Sequence, residues 1–196
     1  MVRAIFGALL DIFIPPRRSE RLLKNVALEE LFALQTEKGL PYHDPRVTAL
    51  VWELKYYANA RAAALAGELL APQVVELAAE EVGTPLLVPV PMHPARLKER
   101  GHNQTELLCK AVLAHVPLKY APNALARVVD TSKQQGLERH RRLQNVKNSM
   151  QAEGVEGRVC IVLDDVTTTG ATLAEAERAL KKAGAGVVHT LALAYS

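Results

Sequence analysis

Residues 159–173 read VCIVLDDVTTTGATL, and the order of chemistries along that stretch sets the fold. Val159 to Leu163 form a short apolar run, Asp164 and Asp165 follow, and Thr167, Thr168, Thr169, Gly170, Ala171 and Thr172 make a small, hydroxyl-rich segment. A short apolar run closed by turn residues reads as a strand buried on both faces, here residues 158–163. Thr172 to Ala183 then carry helix formers, with Gly184 and Gly186 to end them. Strand, small-residue loop and helix form the repeating unit of a mainly parallel α/β sheet, where ligands meet the carboxyl ends of the strands.

The flanking sequence agrees. PLLVPVP (85–91) is a proline-bounded apolar run, a second buried strand with a rigid turn after it. NQTELLCKAVLAHV (103–116) reads as a helix with Asn103 as cap, ALARVVD (124–130) as a strand and VVHTLALAY (187–195) as the closing strand. Upstream the chain is helical. DPRVTALVWELKYY (44–57) offers Asp44 as N-cap and Pro45 at the first position, and residues 60–83 read as one or two helices ended near Gly83. The 196 residues carry a net charge of only +3, so no global field argues for nucleic acid or a membrane surface. Two distant cysteines, Cys109 and Cys160, read as small buried hydrophobes in a cytoplasmic chain. The apolar N-terminus is broken by Asp11 and too short to span a bilayer, so it reads as a short docking helix with no integral membrane segment.

The loop has a specific chemistry. Backbone N–H groups at a helix start, with the positive end of the helix dipole, attract an anion. Gly170 permits the turn, Ala171 keeps the approach open, and the threonines add hydroxyl donors. Carboxylates would repel a phosphate but accept from sugar hydroxyls and can hold Mg²⁺ directly or through water. The combination describes a ribose 5-phosphate: Asp164 and Asp165 on the hydroxyls and metal, residues 167–172 on the phosphate. A merely well-capped strand-to-helix connection is the plainer alternative. The paired acids of a nucleotide triphosphatase are another, but that reading needs a Gly-Lys phosphate loop, and no glycine here precedes a lysine.

VLDDVTTTGATL resembles the PRPP (5-phosphoribosyl 1-diphosphate) motif of type I phosphoribosyltransferases. VPVPMHPARLKERGHNQTELL, RVVDTSKQQGLERHRRLQNV and LKYYANARAAALAGELL further resemble segments of the ComF family, covering about residues 42–196. The resemblance implies an α/β, type I phosphoribosyltransferase-like fold for 42–196, with 1–41 a helical segment in place of the family's zinc finger. That segment has no cysteine, so no zinc site is expected. His102 stands where the family usually has an aromatic residue.

The resemblance also implies roles. Val88 to Met92 would form the pyrophosphate loop, with Val90, Pro91, Arg100, Asn103, Gln104 and Lys55 on the pyrophosphate side. Residues 131–149 would form a flexible hood, with Thr131, Gln134 and Asn145 on its motif. Arg142 would neutralise the departing pyrophosphate and share catalysis with Asp164 and Asp165. The expected ligand is PRPP or a ribose 5-phosphate nucleotide with Mg²⁺, and the expected enzyme is a pentosyl glycosyltransferase whose acceptor the sequence does not identify. The family context is bacterial competence and DNA uptake, so uptake machinery or single-stranded DNA are the expected partners. A non-catalytic PRPP or nucleotide sensor, or a module associated with single-stranded DNA, is the alternative.

Overall fold

A computed structural model describes residues 16–129 and 146–196. Seven helices are found among them: α1 (Pro16–Asn25), α2 (Leu28–Phe32), α3 (Pro45–Tyr57), α4 (Ala60–Ala79), α5 (Pro94–Arg100), α6 (Gln104–Leu113) and α7 (Ala171–Lys182). The strands are β1 (Leu40–Pro41), β2 (Leu86–Pro89), β3 (Lys119–Tyr120), β4 (Leu125–Arg127), β5 (Met150–Ala152), β6 (Val159–Thr167) and β7 (Val187–Tyr195).

Local chemistry explains the helix ends. The Asp44 carboxylate accepts the Arg46 amide at 2.9 Å and Pro45 opens α3. Ala58 then adopts a left-handed conformation (φ 46°), which stops α3, and the Asn59 side chain accepts from the amides of Arg61 and Ala62 to start α4. α4 continues through Pro72 as one helix and stops at Ala79, short of Gly83.

Five strands form a parallel sheet in the order β1-β7-β6-β2-β3, while β4 and β5 make a separate antiparallel pair. β6 is the central strand and it is longer than the apolar run. It pairs with β7 as far as Thr167, so Asp164 and Asp165 lie inside the strand and not after it. Charge pattern alone ended the expected strand at Leu163; a buried strand end tolerates carboxylates once each has a polar partner. α7 likewise starts at Ala171, one residue earlier than the sequence suggested. α5 and the two- and three-residue strands β1, β3 and β5 carry no periodic signal and were not expected.

The sheet divides two cores by simple alternation. Leu87, Ile161 and Leu163 face a core built with α1 to α4 and α6, including Leu23, Leu31, Leu50, Leu54, Leu69 and Leu108. Leu86, Val88, Cys160 and Val162 face the other side, packed with Ala176, Ala179 and Leu180 of α7. Leu23, Val26, Leu31 and Leu40 belong to the first core, so the described part of residues 1–41 packs against the rest, and β1 immediately precedes the expected boundary at 41. α4 is long and apolar enough to cross a membrane by composition, yet Leu65, Leu69, Leu70 and Val74 line this core.

From β2 the chain crosses by α6 to β3 on one side; from β6 it crosses by α7 to β7 on the other. The order reverses between β2 and β6. The crevice beyond their carboxyl ends is where such sheets bind ligands.

Gly67 marks the tightest helix contact. A Cβ there would sit 2.7 Å from the Ala111 carbonyl carbon of α6. Alanine normally improves a helix interior over glycine. Here Gly67→Ala is expected to lower stability by about 1–3 kcal/mol through overpacking, read as a lower midpoint in urea denaturation.

Candidate functional site

Adjacent strand residues point to opposite faces, so Asp164 and Asp165 are not twins. Asp165 continues the Ile161–Leu163 face toward α3 and α6. Its Oδ2 lies 2.9 Å from the Lys55 ammonium, and its Oδ1 accepts from the Gln104 amide at 3.3 Å. Asp164 continues the Cys160–Val162 face; its Oδ1 accepts the Asp165 backbone amide at 2.8 Å. Both carboxylates are buried.

These surroundings drive the two acids apart. Burial, then the neighbouring Asp165 charge, hold the Asp164 carboxyl well above the usual carboxylate range. Asp165 is desolvated as well, but the charge and hydrogen bond of Lys55, with help from Asp164 and Gln104, outweigh burial and hold it below that range. Lys55 mirrors it: desolvation pulls its pKa down, and the Asp165 charge more than offsets that.

The proline loop is strapped to this centre. The Val90 amide donates to the Leu163 carbonyl at 2.9 Å, and the Val90 carbonyl accepts from Asn103 Nδ2 (3.2 Å) and Thr105 Oγ1 (2.6 Å). Asn103 Oδ1 also accepts the Thr105 amide at 3.2 Å, so this one side chain caps α6 and holds the loop. The Pro91 carbonyl accepts from Arg127 Nε at 3.0 Å. The Val90 amide is already donated to Leu163 and Pro91 has no amide, so neither offers a free backbone donor in this structure. They shape the crevice. The cations at its edge are Lys55 and Arg100. Arg100 Nη1 donates to Gln104 Oε1 at 3.0 Å, and its guanidinium lies 5.2 Å from the centre of the Tyr56 ring. A continuous chain thus runs Arg100–Gln104–Asp165–Lys55.

The loop after β6 has the expected form. Gly170 takes a positive φ of 76°, and no side chain caps the start of α7 by hydrogen bond. A Cβ at Gly170 would meet nothing within 4 Å, so glycine is needed there for conformation and not for space. Thr169 Oγ1 accepts the Ala171 amide only at 3.4 Å, Thr168 is exposed, and the Thr167 carbonyl accepts from the Ser196 amide at 3.0 Å. Thr172 stands in the first helical turn. Such a helix start is suited to an anion.

Thr131, Gln134, Arg142 and most of the expected hood lie outside the described residues, as does Asn145. Where the chain resumes, the Met150 amide donates to Glu175 Oε1 of α7 at 3.1 Å, and Arg178 holds the same carboxylate at 2.7 and 2.9 Å. Arg96 is half-buried and Lys98 exposed on α5. His93 is the cap of α5, its Nδ1 accepting the Ala95 amide at 3.3 Å.

Thr105, Tyr56, Arg127 and His102 were missed or left without a role. His102 Nε2 sits 2.9 Å from the Leu54 carbonyl and ties the α5–α6 turn to the end of α3. Only Thr105, two residues after a capping asparagine, had a local signal.

Among the described residues no group of three or more His, Cys, Asp or Glu side chains could hold a metal. Two adjacent carboxylates could nevertheless hold Mg²⁺ together with ligand oxygens and water, since this ion rarely takes an all-protein cage.

A phosphoribosyl transferase domain model matches residues 106–196, the stretch from α6 through the acid pair and its loop to β7. The DNA utilization protein YhgH of Salmonella typhi is 33% identical over 155 residues, 77% of this chain and 68% of that one. Its Escherichia coli K12 counterpart is 32% identical over 153 residues, covering 76% and 67%. Competence protein F of Haemophilus influenzae is 35% identical over 113 residues, covering 55% and 49%. The fold is thus of the type I phosphoribosyltransferase class. Within it, the chain belongs to the ComF family of phosphoribosyltransferase-like proteins. Among solved structures, an allosteric regulatory enzyme of purine biosynthesis aligns with a TM-score of 0.45 and 18% identity over 73% of this chain and 30% of that one.

The raised Asp164 carboxyl has a measurable consequence. Between its unfolded and folded values the native chain holds a proton that the unfolded chain has released. The stability this contributes is complete below the unfolded value and is lost as pH rises through the folded one. Asp164→Asn, which removes the cost of charging that buried group, is expected to stabilise the fold by about 1 kcal/mol near neutral pH. The gain should vanish at about pH 3, where both forms are neutral. Thermal melts across pH check the sign.

Proposed function

We propose that the chain binds PRPP, or a ribose 5-phosphate nucleotide, with Mg²⁺ in the crevice between β2 and β6, and transfers the phosphoribosyl group to an acceptor. The observation that carries this reading is the junction at the end of β6: two buried carboxylates of opposite character lead into a glycine-started helix whose first turn receives only one long side-chain contact, from Thr169.

In this reading the α7 start holds the 5-phosphate, and Asp164 and Asp165 orient the ribose through its hydroxyls. Lys55 and Arg100 face the pyrophosphate, with Arg142 added from the hood. Mg²⁺, when bound through Asp164, Asp165 and ligand oxygens, would stabilise the negative charge of the pyrophosphate. The bond from the anomeric carbon to pyrophosphate breaks with its electron pair on the leaving oxygen, and the acceptor's lone pair forms the new bond. The cationic side chains lower the cost of that departing charge. Two buried, unbonded cysteines support a cytoplasmic setting. The names of the relatives support a role in DNA utilization or competence.

One observation favours the alternative, a sensor or a module associated with single-stranded DNA. Tyr56 is 46% exposed with the Arg100 guanidinium over its ring, and the next residue, Tyr57, is 47% exposed; an exposed aromatic with a cation is a surface on which bases can stack. Pyrophosphate release across a panel of acceptors separates enzyme from sensor, and binding to single-stranded DNA that weakens steeply with salt identifies the module.

The test of the site itself is calorimetric titration of PRPP with Mg²⁺. The parent should bind, and the Asp164→Asn, Asp165→Asn double variant should bind at least about ten-fold more weakly, the loss expected when hydrogen bonds to charged groups are removed. Absence of binding by the parent, or equal affinity in both, sinks the reading.

A further inference from the structure

We infer that Lys55 is an internal counter-ion: it occupies the cation position on Asp165 and yields it only when a phosphorylated ligand offers the ammonium another partner. Metal and anion would then bind together and not independently. This rests on the ribose-phosphate reading above and adds a positioning residue to it.

The geometry around Lys55 is built, not incidental. Asp165 is held from both sides, by Lys55 on Oδ2 at 2.9 Å and by Gln104 on Oδ1 at 3.3 Å. Gln104 is itself fixed at its other end by Arg100. The residues on either side of Lys55 are tied to the same turn: the Leu54 carbonyl to His102, and the Tyr56 ring to the Arg100 guanidinium. α3 ends just beyond, at the left-handed Ala58. Lys55 therefore projects from a last turn that is clamped on both flanks.

Its position is also at an edge. The Asp165 side chain is 6% exposed and the Lys55 side chain 24%, so the ammonium stands between a buried carboxylate and the open crevice. A partly buried charge that loses its partner is destabilised, so a divalent cation arriving alone must expel the ammonium without offering it another anion. A phosphate in the crevice changes that balance, because a lysine ammonium is a compact charge on a flexible stem and can turn to it. Each ligand then favours the other, and the coupling is reciprocal. Lysine suits the task better than arginine would, since a guanidinium forked onto Asp165 is harder to release.

The probe is Mn²⁺, followed by electron paramagnetic resonance on the full chain, with and without ribose 5-phosphate. The parent should bind Mn²⁺ weakly alone and about ten-fold or more tightly with ribose 5-phosphate, a coupling of the usual allosteric size. Lys55→Met should bind Mn²⁺ alone about ten-fold more tightly than the parent and lose most of the dependence on the sugar phosphate. Lys55→Arg, which keeps the ion pair, should leave Mn²⁺ alone bound as weakly as in the parent, and adding Asp165→Asn to Lys55→Met should abolish the gain. Lys55→Gln, of similar reach and no charge, serves if the methionine variant fails to fold.

Unchanged Mn²⁺ affinity in the folded neutral variants overturns the inference, and so does loss of sugar-phosphate binding without any gain in metal affinity, which would make Lys55 a simple phosphate contact. If the parent ignores ribose 5-phosphate and PRPP while Lys55→Met still gains Mn²⁺, the ribose-phosphate reading and the coupling built on it fall, and only the counter-ion survives.

Discussion

The ion pair between Lys55 and Asp165 joins the end of a helix from the first half of the chain to the central strand of the sheet. It crosses the boundary between the region that the sequence reads as helical and the region that carries the ligand motif. Without it Asp165 would be a buried charge held only by an amide, and the crevice between β2 and β6 would have no fixed wall on the α3 side. The remaining contacts follow from this requirement. Gln104 must reach Asp165, so the start of α6 must sit at the mouth of β2. Asn103 and Thr105 meet that constraint by grasping the Val90 carbonyl. His102 and Arg100 then bind the same turn back to α3.

A second tie has the same logic further from the site. Glu53 is buried two residues before Lys55 and accepts from Ser19 Oγ at 2.7 Å and Asn59 Nδ2 at 2.8 Å. It links α1, α3 and the start of α4. Arg61 adds hydrogen bonds to the carbonyls of Leu23 and Val26 at 3.1 Å each. The N-terminal helices thus brace the helix that presents Lys55, which gives them an indirect part in placing it.

Legibility in the sequence tracked the range of the physics involved. β6, β7, α3 and α7 were readable because apolar runs, an Asp-Pro start and glycine stops are local signals. The separation of Asp164 from Asp165 was readable in principle from strand alternation, but only once the strand is known to run through them, and two adjacent charges mask that. The Lys55–Asp165 pair spans 110 positions and the Gln104–Asp165 bond 61, and no local pattern announces either. α5 and the two-residue strands were illegible for a different reason: they exist because the sheet and the capping residues around them do, not because of their own periodicity.

Charge accounting explains why a site of this construction needs help from outside its walls. Lys55 is balanced by Asp165 and Asp164 is pushed toward its neutral form, so of the two crevice-edge cations Arg100 is the one not paired with the acids. A ligand with a phosphate at one end and a pyrophosphate at the other brings several negative charges into a partly desolvated crevice, where each unpaired one is costly. In the proposed reading the α7 start would answer the phosphate with amides and a dipole, a contribution worth a fraction of a charge. The pyrophosphate would need whole charges. A divalent cation on the acid pair would supply two of them, and ERHRR (138–142) is the densest basic run in the sequence, carried on the segment that joins β4 to β5. On the proposed reading, an acid pair whose charge is nearly balanced by Lys55 and by the raised Asp164 carboxyl would suit a ligand that arrives with its own metal.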